Sequence, residues 1–271
     1  MLVARSTLSF VLALACLAGW ADARDRGADG KWSTRRSSHF DLHQDVALDR
    51  YSGPGGSRAF ELAVIEALET AHDRVRDGIG VAPRARVQVF VYDPGVFDAT
   101  YAQRFGFSAA GFWDGAIHVR GGIQVDARLV ATLSHEYVHA ALATLAPAGS
   151  FPAWLNEGLA ELFERQTLGQ GQPSAGELAF LRAAAADGSF IPLASLGGTS
   201  FAGLDEASAR LAYLESYACV EQLLHRYGRE RLERLVEEVA RTRRIDKALA
   251  RALRTDLAEV EAQLLARLQS D

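Results

Sequence analysis

The sequence predicts an α+β fold: a mixed strand-and-helix half, residues 38–146, followed by an all-helical half over 150–268. Two observations carry this. Short runs of alternating apolar residues punctuated by turn residues are confined to the first half, and apolar residues at helical spacing fill the second. With 49% hydrophobic residues in 271, no internal repeat and no bias toward collagen, disorder or a coiled coil, the chain can build one sizeable core or two small ones.

Residues 1–23 read as an export signal. Arg5 supplies the positive end, "LSFVLALACLAGW" the apolar core and Ala21-Asp22-Ala23 a small-x-small cleavage site, so the mature chain is expected from Arg24 onward in the periplasm or outside the cell. The alternatives are an uncleaved anchor and an acylated Cys16. The apolar run falls short of the roughly 20 residues that span a bilayer, and Cys16 follows "ALA" rather than a leucine-led box. Residues 24–37 are polar and expected to be loosely ordered. "SHFDLHQD" (38–45) alternates as a short strand with Phe40 and Leu42 on one face, and 57–78 is helical, closed by Gly78 and Gly80. "RVQVFVYD" (86–93) is the clearest strand, "PGVFDATYAQRF" a short helix, and "AAGFWDGAIHVRG" a hairpin turning at Asp114-Gly115. A helix follows over 126–146, with Asp126 as N-cap and Pro147 and Gly149 ending it, and another begins near Pro152 or Ala153. From 205 the pattern stays helical to the end, with Gly228 as a C-cap and Thr255 as an N-cap.

Removing the leader takes away Arg5 and Asp22, so the net charge of −5 belongs to the mature chain and disfavours nucleic acid or anionic membrane as a partner. A peptide or protein is the expected partner. Only Cys219 survives cleavage, so no internal disulfide is expected, and its apolar helical setting, "YACVEQLL", reads as a small buried hydrophobe.

The chemistry lies in "SHEYVHA" (134–140), which falls inside the 126–146 helix. His135 and His139 are four apart and share a face, so their imidazoles can meet at one point. Catalytic zinc takes three protein ligands and keeps a position for water, so a further donor is needed. Glu136 leans beside that open position, where it can take the water's proton. "FPAWLNEGLAELFE" (151–164) offers the donor: 17 residues separate His139 from Glu157, enough to end one helix, turn and return a second. Trp154, Leu155, Leu159 and Leu162 would bury that helix on the first, and Glu157 and Glu161 would share the face turned to the histidines.

Together, "HEYVH" and "WLNEGLAE" resemble the gluzincin zinc metallopeptidases, the group that includes thermolysin-like and aminopeptidase N-like enzymes, and particularly the compact peptidase MA-like domains. The likeness extends through "HF" near the start, the "VQVFVYD" strand, the "GFWDGAIHV" hairpin and the tail "AYLESYACVEQLLHRYGRERLERLV". It implies a small zincin-like domain over 38–268 holding one Zn2+. By the same resemblance Glu157 is the third zinc ligand, Glu136 the general base, Glu161 the acid that steadies a ligand histidine, and Tyr213 the oxyanion donor, with Tyr217 in reserve. The hairpin before the zinc helix resembles the edge strand along which such enzymes bind an extended peptide. The aminopeptidase "GAMEN" segment is absent, which argues against capture of a free amino terminus.

The expected function is therefore an exported zinc metallopeptidase that hydrolyses peptide bonds with a zinc-activated water. The alternative is a zincin-fold domain without activity that serves as a peptide-binding or structural module. His39, His43, His72, His118 and His225 show no ligand spacing to another histidine and read as surface or packing residues, and the arginine-rich "RERLER" and "RTRR" as a solvated helix face.

Overall fold

A computed structural model describes residues 31–48, 56–101 and 103–270. The expected export signal (1–23) and residues 24–30 lie outside them. The fold is α+β, as the sequence predicts. Among the described residues five strands form one mixed sheet: β1 (Ser33–Arg36), β2 (Phe40–Asp45), β3 (Val87–Tyr92), β4 (Gly111–Trp113) and β5 (Ile117–Arg120), in the order β1-β2-β3-β5-β4. β2, β3 and β5 are parallel, and the two outer strands run antiparallel to their neighbours. The helix α1 (Gly56–Ile79) makes the crossover from β2 to β3, as a parallel pair requires. The hairpin of β4 and β5 turns at Asp114-Gly115, where Gly115 takes φ 106°.

Period-2 alternation divides the sheet residues between two faces. Phe40, Leu42, Val87, Val89, Val91, Ile117 and Val119 turn toward α1 and α3 (Ala127–Leu145) and join the main core. The opposite face carries a separate aromatic cluster of Tyr92, Phe97 and Phe112, with Trp32, Phe90, Tyr101 and Phe105 around it; Phe97 and Tyr101 come from α2 (Pro94–Tyr101).

Three local expectations are corrected. Residues 33–36, expected within a loose terminus, form β1, because Arg35 reaches the buried Glu61 at 2.6 Å and Ser33 donates to the same carboxylate. That strand is fixed by polar contacts and carries no apolar signature. The sequence also gives no element between 165 and 204, yet α5 (Ala175–Asp187) lies there, after α4 (Ala153–Thr167). It starts at a capping box of Ser174 and Glu177 and ends at Gly188 (φ 79°), but buries only Leu181 and Ala184, so it has little apolar periodicity to read. Four helices follow: α6 (Glu206–Tyr227), α7 (Arg229–Thr242), α8 (Ile245–Ala252) and α9 (Leu257–Ser270). Gly228 closes α6 through its N–H to Leu224 O. The N-cap of α9 is Asp256, whose carboxylate accepts from Glu259 N at 2.9 Å, and not Thr255.

The helix α4 lies between α3 and α6 and is buried along its length: Trp154, Leu155 and Leu159 have no exposure. Its approach to α6 is set by Gly158. A Cβ there would stand 2.4 Å from Ser216 O and 2.6 Å from Val220 Cγ2, so the two backbones can come this close only at glycine. Cys219, on α6, is buried among these apolar residues, and burial pushes its thiol pKa up.

One buried carboxylate on α6 couples stability to pH. Glu215 has no exposure; its Oε1 accepts from Ile191 N at 3.0 Å and its Oε2 has no partner. Burial, opposed in part by the Ile191 N–H and reinforced by Glu261, pushes its pKa from 4.5 up to about 8. The folded state thus holds the proton more tightly than the unfolded one, so this contribution is complete below pH 4.5 and is lost as pH rises through 8. The loss is on the order of a few kcal/mol. Glu215→Gln should flatten the fall in melting temperature between pH 5 and pH 9; parallel falls in variant and wild type would contradict this.

Candidate metal centre

α3 starts at Asp126, whose carboxylate accepts from Leu129 N, and its register turns His135 and His139 to the same side with ring centroids 4.9 Å apart. The turn after α3 brings α4 back, and Glu157 Oε2 lies 3.5 Å from His135 Nε2 and 3.4 Å from His139 Nε2. One donor atom from each of the three lies within 4.8 Å of the others. The outer nitrogens are held as well. His135 Nδ1 contacts Glu164 Oε2 at 2.8 Å and His139 Nδ1 contacts Asn156 Oδ1 at 3.1 Å, which leaves both Nε2 atoms facing Glu157.

Burial and charge act together here. Burial opposes a charge on His135 and His139, but Glu157 and Glu164 outweigh it at His135, and Glu157 with Glu136 at His139, so both pKa values are raised. For Glu157, burial works upward and the two histidines work downward more strongly, leaving it at about 2. Glu136 is 5% exposed, and burial above all raises its pKa. Its Oε2 and that of Glu157 are buried without a hydrogen-bond partner.

An orphaned buried carboxylate oxygen beside two converging imidazole nitrogens suits a divalent cation. Two nitrogens and one carboxylate oxygen, with solvent access on one side, is a donor set of catalytic zinc. His135, His139 and Glu157 therefore fit the ion the sequence implies.

Glu161, expected to steady a ligand histidine, does not make that contact. Its carboxylate accepts from Arg165 Nε at 3.0 Å, one helical turn on, and Glu164, a further step along the same face, takes the histidine instead. Arg165 also reaches Glu177 at 2.7 Å and lies 4.2 Å over the ring of Tyr217. Tyr217 is thereby fully buried, whereas Tyr213 borders the cleft with its ring 6.4 Å from that of His135, between Phe107 and Phe201. Burial and the surrounding carboxylates raise the Tyr213 pKa, so its hydroxyl keeps its proton. Sequence reasoning missed Glu164 and Asn156. Both were within sight: Asn156 precedes Glu157 in the same motif, and Glu164 lies seven residues beyond Glu157, on its face of the helix.

The centre lies where two cavities meet at His135, Glu136, Gly111, Phe107 and Tyr213. One, of about 240 Å3, is lined by Phe105, Phe112, Trp113, Leu142 and Phe151; the other, of about 660 Å3, by Glu161, Glu164, Arg165, Glu177 and Arg210. β4 forms the rim. A Cβ on Gly111 would come 3.0 Å from both Glu136 Oε1 and Thr132 Cγ2, so glycine lets the edge strand lie against the face of α3 that carries Glu136.

A helix bearing two histidines and a glutamate, bordered by a sheet edge and faced by an acid from the next helix, defines a metallopeptidase-like fold. The chain belongs to the peptidase MA superfamily, whose family model matches residues 69–270. Comparison with curated proteins finds no match.

The contacts of the outer nitrogens lead to a direct expectation. Glu164→Gln should weaken zinc binding by about 10–100-fold, whereas Glu161→Gln should change it much less. Competition titration against a chromophoric chelator measures both; equal losses would contradict the assignment.

Proposed function

We propose that the protein is an exported zinc metallopeptidase. The observation that carries this reading is the convergence of His135, His139 and Glu157 with the buried Glu136 beside them, at the rim formed by β4. Bound there, zinc supplies Lewis acidity to a water and to the scissile carbonyl.

The chain's own residues do the remainder. Glu136, desolvated and with an unpaired oxygen, takes a proton from the attacking water and returns it to the leaving amine. Its raised pKa suits both halves of that transfer. Tyr213 keeps its proton and donates to the oxygen that becomes negative as the carbonyl carbon turns tetrahedral. Glu164 and Asn156 fix the histidine rings so that the same nitrogens stay inward. An extended peptide pairs with β4, which sets its scissile bond beside Glu136. The substrate is a peptide or protein, and the leader pattern of residues 1–23 supports export as the route by which the enzyme meets it.

Cleavage of a peptide library by the purified protein, with and without chelator, tests this reading. Glu136→Gln should keep stoichiometric zinc and lose about 100- to 10,000-fold in kcat. Full activity in that variant would refute the mechanism, and zinc binding by the wild type with no cleavage of any library member would return the domain to a binding role. Tyr213→Phe should lower kcat about 100- to 1,000-fold with little change in KM. An unchanged kcat would remove Tyr213 from the chemistry.

A further inference from the structure

Two histidines with no ligand spacing in the sequence are brought together by the fold. His39 precedes the first residue of β2, and His72 lies on α1, 33 positions later in the chain. Their rings stack at 3.7 Å between centroids and 11° between planes. Glu69, three residues before His72 and so on the same face of α1, is bound to His39 twice: Oε2 contacts His39 Nδ1 at 2.5 Å and Oε1 accepts from His39 N at 3.2 Å. One donor atom from each of His39, Glu69 and His72 lies within 4.8 Å of the others, as in the cluster on α3 and α4.

From this juxtaposition we infer that His39, Glu69 and His72 form a second site for a divalent transition-metal ion of the zinc class, separate from the catalytic centre. The donor set is again two imidazole nitrogens and one carboxylate oxygen, which selects zinc, cobalt, nickel or copper over calcium and magnesium. Two imidazoles stacked this closely repel each other when both are protonated; their lone pairs lie in the ring planes, so on uptake of a cation the rings tilt out of parallel, each gives it one nitrogen, and the ion's charge is partly neutralised by Glu69. His72 is buried while His39 and Glu69 are partly exposed, so the ion has a route in and water can complete its coordination. The hydroxyl of Tyr137, buried without a hydrogen-bond partner, belongs to a ring 5.9 Å from that of His72 and 5.4 Å from that of Phe40. Tyr137 is the side chain that α3 turns to the sheet, between the two histidines of the catalytic motif. A cation at the second site therefore clips the start of β2 to α1 behind the catalytic helix, and its role is to hold the sheet in place.

Zinc stoichiometry of the purified chain, stripped with chelator and titrated with Zn2+ by calorimetry, tests this. The wild type should take up two equivalents. His39→Asn and His72→Asn should each take up one and keep peptide cleavage; His39, being partly exposed, can be replaced even if the His72 variant fails to fold. A variant with both His135→Ala and His139→Ala should also take up one equivalent, and zinc should still raise its melting temperature. Uptake of a single equivalent by the wild type that disappears with His135→Ala and His139→Ala would overturn the inference, as would two equivalents in His39→Asn. Failure of the catalytic reading gives a different result, a single equivalent that persists in the His135→Ala and His139→Ala variant.

Discussion

The contact of α4 with α6 at Gly158 is the constraint on which the candidate centre depends. Glu157 is the adjacent residue, so the depth to which α4 settles decides whether its carboxylate reaches both histidines. A Cβ at 158 would collide with the backbone at Ser216 O as well as with the Val220 side chain, and the backbone cannot turn aside. The helix would have to back away, and displacements of about 1 Å are enough to cost catalytic sites heavily. Trp154, Leu155 and Leu159 hold the other sides of α4 in the core, so the position of Glu157 is determined by packing on several faces at once. The glycine of "NEG" is thus a packing requirement that sits beside a chemical one.

Charge makes the same centre expensive to assemble. Buried carboxylates and imidazoles lose hydration, and each is tolerated because another compensates it. Glu157 is shared by two histidines, His135 is shared by Glu157 and Glu164, and His139 uses the neutral amide of Asn156. The two histidines are therefore unequal: one is backed by an anion and the other by a dipole, which makes His135 the more electron-rich donor. Arg165 pairs with the remaining acid, Glu161, and with Glu177, and so offsets part of the negative charge beside His135.

What the sequence disclosed follows from the range of each interaction. The α+β order, the strand at 87–92, the hairpin at Asp114-Gly115 and the helix capped at Asp126 rest on local periodicity and turn chemistry, and all appear at their expected places. The meeting of His135 and His139 rests on helical spacing, and that of Glu157 with them on a connection length. β1 and α5 escaped because neither carries an apolar stripe: the first is tied down by Glu61 from a distant helix, and the second is mostly exposed. The resemblance points to Glu161, whereas the acid that reaches His135 is Glu164, a contact set by how α4 lies against α3. The stacking of His39 on His72 depends on how β2 lies against α1, which no spacing along the chain encodes.

The two edges of the sheet differ in what they admit. β1 presents Thr34 and Arg36 outward, and such charged and polar edge residues discourage a neighbouring strand. β4, at the other edge, is Gly111, Phe112 and Trp113 alone. A chain laid along it finds a ladder of only three residues, too short for main-chain hydrogen bonds to hold it firmly. Under the proposed function, discrimination among peptides would then fall to the two cavities that meet at the centre, one walled by aromatic and aliphatic groups and the other by acids and arginines. In the proposed peptide-binding role the short edge would fix direction and register, and residence time would be left to side chains.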